Sequence, residues 1–490
     1  MVFSYLLIQF VDSHLKIFRI CTHLNCSYCF IYKLHLYFFE MTHSPPKLDR
    51  GLSLFQATTI NMIDMVGIGP FIVLPMVIKI MGGPQFIFAW LAGAVLSLID
   101  GMVWSELGAA YPKAGGSYNF LKEAYGKKWG KLLSFIFVWQ TVLLSPLVAA
   151  SGAIGFAQYC TFIFPFTPIE QKMISGCLII LLVFLLYRKI HAIGNISVVL
   201  WIAVTITISW IIFAGATHQT IHNVWLPEKD FSLQLFFVAL GQASVKTIYS
   251  YLGYYNVCHL GGEIKNPGKN IPRSIFISVI GISILYVAMN ISVVSVIPWQ
   301  EAQDSVFIVS TFIERIYGHG AALLATALVL LVAFASLFAV LLGYSRIPYA
   351  AAVDGLFFPA FARLHPKKHF PHISLLFLGS LAFVFSLLFK LSTVISAILA
   401  MRIIIQFIGQ AVGVILLRKR NGKKNLPYKM TLYPLPVILA IIIWFLIFLS
   451  TGKEMVLYAS IIISSGLIVF YLLEKNKKFG TPVIESTTEK

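Results

Sequence analysis

Apolar runs of about 20 residues, the length that crosses roughly 30 Å of hydrocarbon, recur along this chain with short polar links between them. Twelve are read, at residues 54–80, 84–108, 131–160, 170–187, 193–216, 232–262, 273–298, 320–343, 371–389, 392–417, 431–450 and 454–473. They predict an all-α integral membrane protein with twelve transmembrane helices. The links between them differ in charge. Those after even-numbered spans hold Lys113, Lys122, Lys127, Lys128 and Lys131, then Arg188 and Lys189, Lys265, Lys269 and Arg273, Arg346, Arg363, Lys367 and Lys368, and the run from Arg418 to Lys429. Links after odd-numbered spans hold chiefly Lys79, Lys172, Lys229, Arg315, Lys390 and Lys453. This excess assigns the even links and both termini to the cytoplasmic side of an inner or plasma membrane.

Two spans interrupt their own pattern. In span 1, "DMVGIGPF" at 64–71 combines an aspartate, two glycines and a proline. Unpaired backbone at membrane depth is tolerated only where it lines a cavity or is buried by protein. Pro70 lacks an N–H and suits the first turn of a resumed helix, so the pattern predicts helix to about Val66, an unwound link, then helix again. In span 6, "IYSYLGYYNVCHLGGEIKNP" at 248–267 places Gly253 mid-span and Gly261 and Gly262 near its end. Breaks in the first and sixth spans predict a transporter built from inverted repeats of five spans. A Gly/Pro kink that serves packing alone is the alternative.

At such a break the resuming helix presents free N–H groups and the preceding half presents free carbonyls. A zwitterion such as an amino acid matches both ends. The candidate substrate-binding residues are therefore Gly67, Ile68 and Gly69 for a carboxylate, and the backbone at Tyr249, Ser250, Leu252 and Gly253 for an ammonium group. Ser145, beside Pro146 in span 3, marks a candidate pocket wall.

Composition narrows the class further. Of 490 residues, 58% are hydrophobic and 11% charged, and the mean hydropathy of +0.85 lies outside the soluble range. A net charge of +18 in a soluble chain would suggest nucleic acid. Here it resides in the links as a topology signal, and no nucleic-acid partner is expected. The six cysteines give no disulfide framework. Cys21, His23, Cys26, Cys29 and His35 could form a metal-binding tail, but their spacing fits no structural zinc pattern cleanly; no metal or cofactor is expected. Residues 1–40 lack the periodicity of a span and the order of a secretory signal, and are read as a disordered or non-native upstream extension before a start at Met41. The remaining organisation is a cytoplasmic tail at 41–53, a first repeat at 54–216, a second at 232–417, two further spans at 431–473 and a cytoplasmic tail at 474–490.

These motifs are familiar together. "GIGPF" in span 1, "SELGAAYPKAGGSYNFLKEAYG" at 105–126, "SYLGYYNVCHLGGEIKNPGKNIPRSI" at 250–275 and "SRIPYAAAVDGLFFPAFARLHPK" at 345–367 give a chain that resembles the amino acid-polyamine-organocation superfamily over residues 48–475. The resemblance implies a leucine-transporter-type fold, a 5+5 inverted repeat with discontinuous helices 1 and 6. It also implies a substrate carboxylate on Gly67, Ile68 and Gly69, and Tyr249 as a gate over the substrate. The family's "GSGIF" reads "GIGPF" here. A span-5 lysine that replaces sodium in some relatives has no counterpart near Trp201, and span 8 offers Ser336 alone where sodium-coupled relatives have adjacent hydroxyls.

Ionisable groups at bilayer depth are functional candidates. Asp64 lies about 4.5 Å to the cytoplasmic side of the span-1 break; it could carry a proton, bind a cationic group or cap free N–H groups. Lys246 lies on the extracellular side of the span-6 break, some 15 Å of depth from Asp64, while His259 matches Asp64 better in depth and suits proton handling. Glu106 and Glu263, near cytoplasmic span ends, are expected in ion pairs. Arg402 and Asp100 are left without a role. The sequence thus reads as a secondary active transporter of amino acids working by alternating access, coupled to protons or to exchange. A polyamine or organic-cation substrate is the alternative, and a non-transporting amino-acid sensor the rival of another class. No motif points to an enzyme.

Overall fold

The computed structural model describes residues 48–220, 232–389, 401–421, 426–475 and 479. The N-terminal Cys/His cluster, the expected start at Met41 and nearly all of the 474–490 tail lie outside them. Within them the protein is all-helical, with isolated bridges Leu52–Ile264 and Ala114–Leu260 as its β pairing.

The helices follow the apolar runs. Span 1 is two pieces, α1 (Leu54–Met65) and α2 (Gly69–Met81). Next come α3 (Phe86–Ala110), α4 (Lys131–Cys160), α5 (Pro168–Leu186) and α6 (Ile190–Thr217). Span 6 is α7 (Leu233–Tyr251) followed, after a break, by the single turn α8 (Asn256–His259). Then follow α9 (Pro267–Val294), α10 (His319–Tyr344), α11 (His372–Leu388), α12 (Gly409–Asn421), α13 (Leu435–Ser450) and α14 (Lys453–Glu474).

Seven helices among the described residues are long and apolar enough to span, eight if α1 and α2 count as one bent span. That is fewer than the twelve expected, for physical reasons. The apolar α11 and α13 have only 17 and 16 residues. α7 dilutes its apolar run with Gln234, Gln242 and Lys246, and the first part of the tenth run falls on 390–400, outside the described residues. Large side chains on the outer faces, among them Phe184, Val199, Phe213 and Ile461, are apolar and exposed. In water such a surface would aggregate; together with the spanning helices it makes this a multi-pass membrane protein.

Packing sorts the helices into two groups. α1 and α3 each pack on α9, with α7 against α2 and α3; α4, α5, α10 and α11 form the second group, and α10 also packs on α1. Buried Asp100 on α3 fastens the first group to α13: its carboxylate accepts Trp104 Nε1–H at 2.8 Å, Trp444 Nε1–H at 3.1 Å and the Tyr254 hydroxyl. Three donors satisfy a charge that burial would otherwise make costly. Asp100→Asn keeps the shape but places an NH2 against one of those donors. We expect it to cost about 1–3 kcal/mol, read as a lower melting temperature of purified protein, with Trp444 fluorescence changing because its ring is one of the partners.

Candidate functional site

The break in span 1 follows from its own residues. α1 opens on a capping box, Ser53 Oγ accepting Gln56 N–H while Gln56 Oε1 accepts Ser53 N–H at 3.0 Å. It ends at Met65, where Gly67 and Gly69 weaken the next turn and Pro70 has no N–H to give the Val66 carbonyl. α2 therefore restarts at Gly69 with Pro70 in its first turn, bent 45° from α1. Ile68, at the N-cap of α2, supplies no side-chain cap, so the first N–H groups of α2 remain open.

Span 6 breaks beside it. α7 ends at Tyr251, Leu252 is extended, and Gly253 takes φ +123°, a conformation side chains rarely adopt. The loosened backbone is paired by side chains from elsewhere. Asn61 of α1, fully buried, donates to Tyr254 O at 2.7 Å and accepts Val257 N–H at 2.8 Å. The Tyr286 hydroxyl of α9 lies 2.7 Å from Met65 O and 3.0 Å from Ser250 O, so one group bridges both broken spans. Sequence reasoning missed Asn61 and Tyr286. A lone amide one turn before Asp64 was the available signal for the first; the tyrosine offers none.

Between the breaks lies a cavity of about 70 Å³. At about 10–15 Å³ per water on such a measure, this holds roughly five waters, the size range of a small polar solute. Its wall includes Asp64, Gly69, Tyr249, Gly253, Ser336 and Arg402, as well as Gly67, Ile68, Ser250 and Leu252. The Tyr249 hydroxyl pairs with Ser151 at 3.3 Å. Ser336 Oγ donates to Asp64 O at 3.1 Å, and a Cβ at Gly67 would come within 2.7 Å of that hydroxyl.

Other sequence candidates are placed differently. Ser145 is fully buried, its Oγ unpaired, and stands outside the cavity wall. α4 runs on helically through Pro146 and turns Val148 and Gly152 to the cavity instead. Asp64 meets Asn256, whose Nδ2 donates to Asp64 Oδ2 at 2.7 Å and to Ala339 O at 2.8 Å. His259, one turn further, is buried against Trp104, Tyr255 and Tyr344, with no hydrogen-bond partner for either ring nitrogen among the described residues. Lys246, half-buried on α7, is not part of the wall. Glu263 and Glu106 sit in buried two-pronged ion pairs with Arg346 and Arg418.

Arg402 gains a place that its sequence context left open. It is 2% exposed, donates through Nη1 to the Tyr255 hydroxyl and lies 5.2 Å from the Tyr344 ring centroid. Its Nε and Nη2 have no partner in hydrogen-bonding geometry among the described residues. The π-helical turn Ile403–Ile408 follows it directly, a distortion that recurs at functional positions. The cavity wall thus carries one carboxylate, one guanidinium and two broken helix ends.

Known proteins share this chain over nearly all its length. The serine/threonine exchanger SteT of Bacillus subtilis is 27% identical over 443 residues, 88% of this chain and 98% of its own. The branched-chain amino acid permease BcaP of the same organism is 23% identical, covering 89% of this chain and 95% of its own. The human cystine/glutamate transporter is 26% identical, covering 83% and 81%. A family model described as Amino acid permease matches residues 52–473, from just before α1 to the end of α14, so both broken spans and the cavity lie inside the match and the chain belongs to the amino acid permease family.

Proposed function

We propose that this amino acid transporter works by alternating access around the cavity between the two broken spans. The substrate's carboxylate is received by the backbone N–H groups at Gly67, Ile68 and Gly69, of which that of Gly67 donates to Met65 O at 3.1 Å and has to be released for the purpose, and its ammonium group by carbonyls at the end of α7, from Tyr249 to Leu252. Tyr249 is the gate. The observation that carries this reading is that both breaks face one small cavity, so an N-terminal helix end and a C-terminal helix end are offered to one solute. Arg402 in the same wall weighs against a polyamine, because its fixed positive charge offsets that of Asp64.

Twelve spans arranged as a 5+5 inverted repeat, with spans 11 and 12 outside it, both termini cytoplasmic and residence in the cell membrane, belong to the same proposal. The helix groups support it: α1, α3, α7 and α9 correspond to spans 1, 2, 6 and 7, and α4, α5, α10 and α11 to spans 3, 4, 8 and 9, so each span shares a group with the one five places on.

Asp64 is proposed as the proton carrier. Counterflow of a labelled amino-acid panel in proteoliposomes, with and without an imposed pH gradient, tests the reading. Wild type is expected to exchange substrate and to accumulate it up to about tenfold per pH unit for one coupled proton. Asp64→Asn is expected to keep exchange within a few fold and to lose the pH-driven part. Intact pH-driven accumulation in Asp64→Asn would remove Asp64 from the proton path, and binding without exchange of any amino acid would remove transport.

A further inference from the structure

A second and larger concavity, of about 670 Å³, lies away from the substrate cavity, among α5, the start of α6 and the segment leading into α11. One part of it is apolar: Ile180, Phe184 and Leu376 line it, at 57%, 67% and 44% exposure. The other part is cationic, with Arg188, Lys189 and Lys368. Among the described residues no acidic side chain lines it. Lys368 is pre-set, its Nζ donating to Tyr187 O at 2.7 Å and lying 4.7 Å from the Tyr187 ring centroid, which ties the segment before α11 to the turn after α5. An ammonium has three N–H donors, so Lys368 keeps two for another acceptor. Both basic segments belong to links that the Lys/Arg bias assigns to the cytoplasmic face.

An exposed apolar groove ending in three clustered cations at that face matches one kind of solute, an amphiphile with acyl chains and an anionic head. We propose that this groove is a binding site for an anionic glycerophospholipid of the cytoplasmic leaflet, its phosphate held by Arg188, Lys189 and Lys368 and an acyl chain laid along Ile180, Phe184 and Leu376. Apolar walls of this extent give a free phosphate nothing to bury. The occupant joins the cytoplasmic ends of α5 and α11, within the second helix group.

Native mass spectrometry of the full-length protein tests this with dioleoyl phosphatidylglycerol against dioleoyl phosphatidylcholine, which differ in headgroup charge and share their chains. Each cation near an anionic lipid contributes about fivefold, so wild type is expected to prefer phosphatidylglycerol by at least about tenfold. R188Q/K189Q, at two exposed positions, should lose most of that preference. K127Q/K128Q, which removes the same charge from another cytoplasmic link, should keep it. Ala192→Trp, which fills the groove at an exposed position with all cations retained, should lower retention of both lipids. Equal binding of the two lipids by wild type, equal loss in both double variants, or unchanged retention in Ala192→Trp would each overturn the site, as would competition by glycerol phosphate as strong as that by the intact lipid.

Discussion

Gly253→Ala is expected to reduce amino-acid exchange to the background of empty liposomes, a loss of a hundredfold or more by the reasoning that small displacements at a binding site are this costly, while the protein still inserts and purifies. Two independent penalties meet at this position. The residue stands at φ +123°, where a side chain costs about 1–3 kcal/mol of backbone strain. A Cβ there would also come within 2.8 Å of both Asp64 C and Met65 N, and these are backbone atoms of α1 that cannot rotate aside. The strain is absorbed where the structure is softest, at the two breaks, and so displaces the helix ends proposed to hold the substrate. Gly241→Ala is the control in the same span, on α7 before the break, since its nearest neighbour would be Ser450 Oγ at 3.8 Å. Initial counterflow rates, normalised to monodisperse protein by size exclusion, measure both. Exchange by Gly253→Ala within threefold of wild type would show that the close approach of span 6 to span 1 is not needed for the cycle.

The same position separates what the chain's order reveals from what it conceals. The span-1 break was legible because its cause is local: Pro70 forbids the hydrogen bond to Val66 and stands with Gly67 and Gly69, which weaken the same turn, whereas Pro75 and Pro146 lie inside continuous helices. Span 6 was only half legible. Gly253 suggests a break, but what stabilises it comes from Asn61 and Tyr286, far away in sequence. Asp64 shows the limit of depth arithmetic. Counting 1.5 Å per residue brings His259 to its level, yet helical phase turns Asn256 toward it. Phase also separates Ser145 from the cavity, because α4 does not break at Pro146 and Ser151, six residues on, meets Tyr249 instead. Span 6 is also less apolar than its neighbours for a related reason: α7 borders the cavity and carries Gln234, Gln242 and Lys246 within its 19 residues.

Removing one partner of the Glu263–Arg346 pair is expected to be among the most destabilising changes the membrane domain can suffer, and removing both far less so. Glu263 is fully buried and Arg346 is 1% exposed. Their two hydrogen bonds are both 2.9 Å, and Arg346 also donates to Leu342 O at 3.1 Å and Ser345 Oγ at 2.8 Å. Glu263→Gln leaves a buried guanidinium without its counter-charge, which costs about 3–5 kcal/mol. Glu263→Met with Arg346→Met removes both charges, and since apolar replacement of a buried pair is often neutral or better, melting temperature should recover most of the loss. Function should not recover with it. The pair ties the end of span 6 to the start of the helix Arg346–Val353, beside the Leu52–Ile264 bridge, on the side the charge bias assigns to the cytoplasm. Opening the cavity inward under the proposed cycle requires that tie to part, so a protein without it closes less completely. The double variant should exchange substrate but hold a smaller gradient than wild type. Thermal melting of the two single variants and the double variant, followed by accumulation assays on the stable ones, separates the two roles. Full recovery of accumulation in the double variant would make the pair purely structural, and a Glu263→Gln protein that melts with wild type would refute the buried charge pair itself.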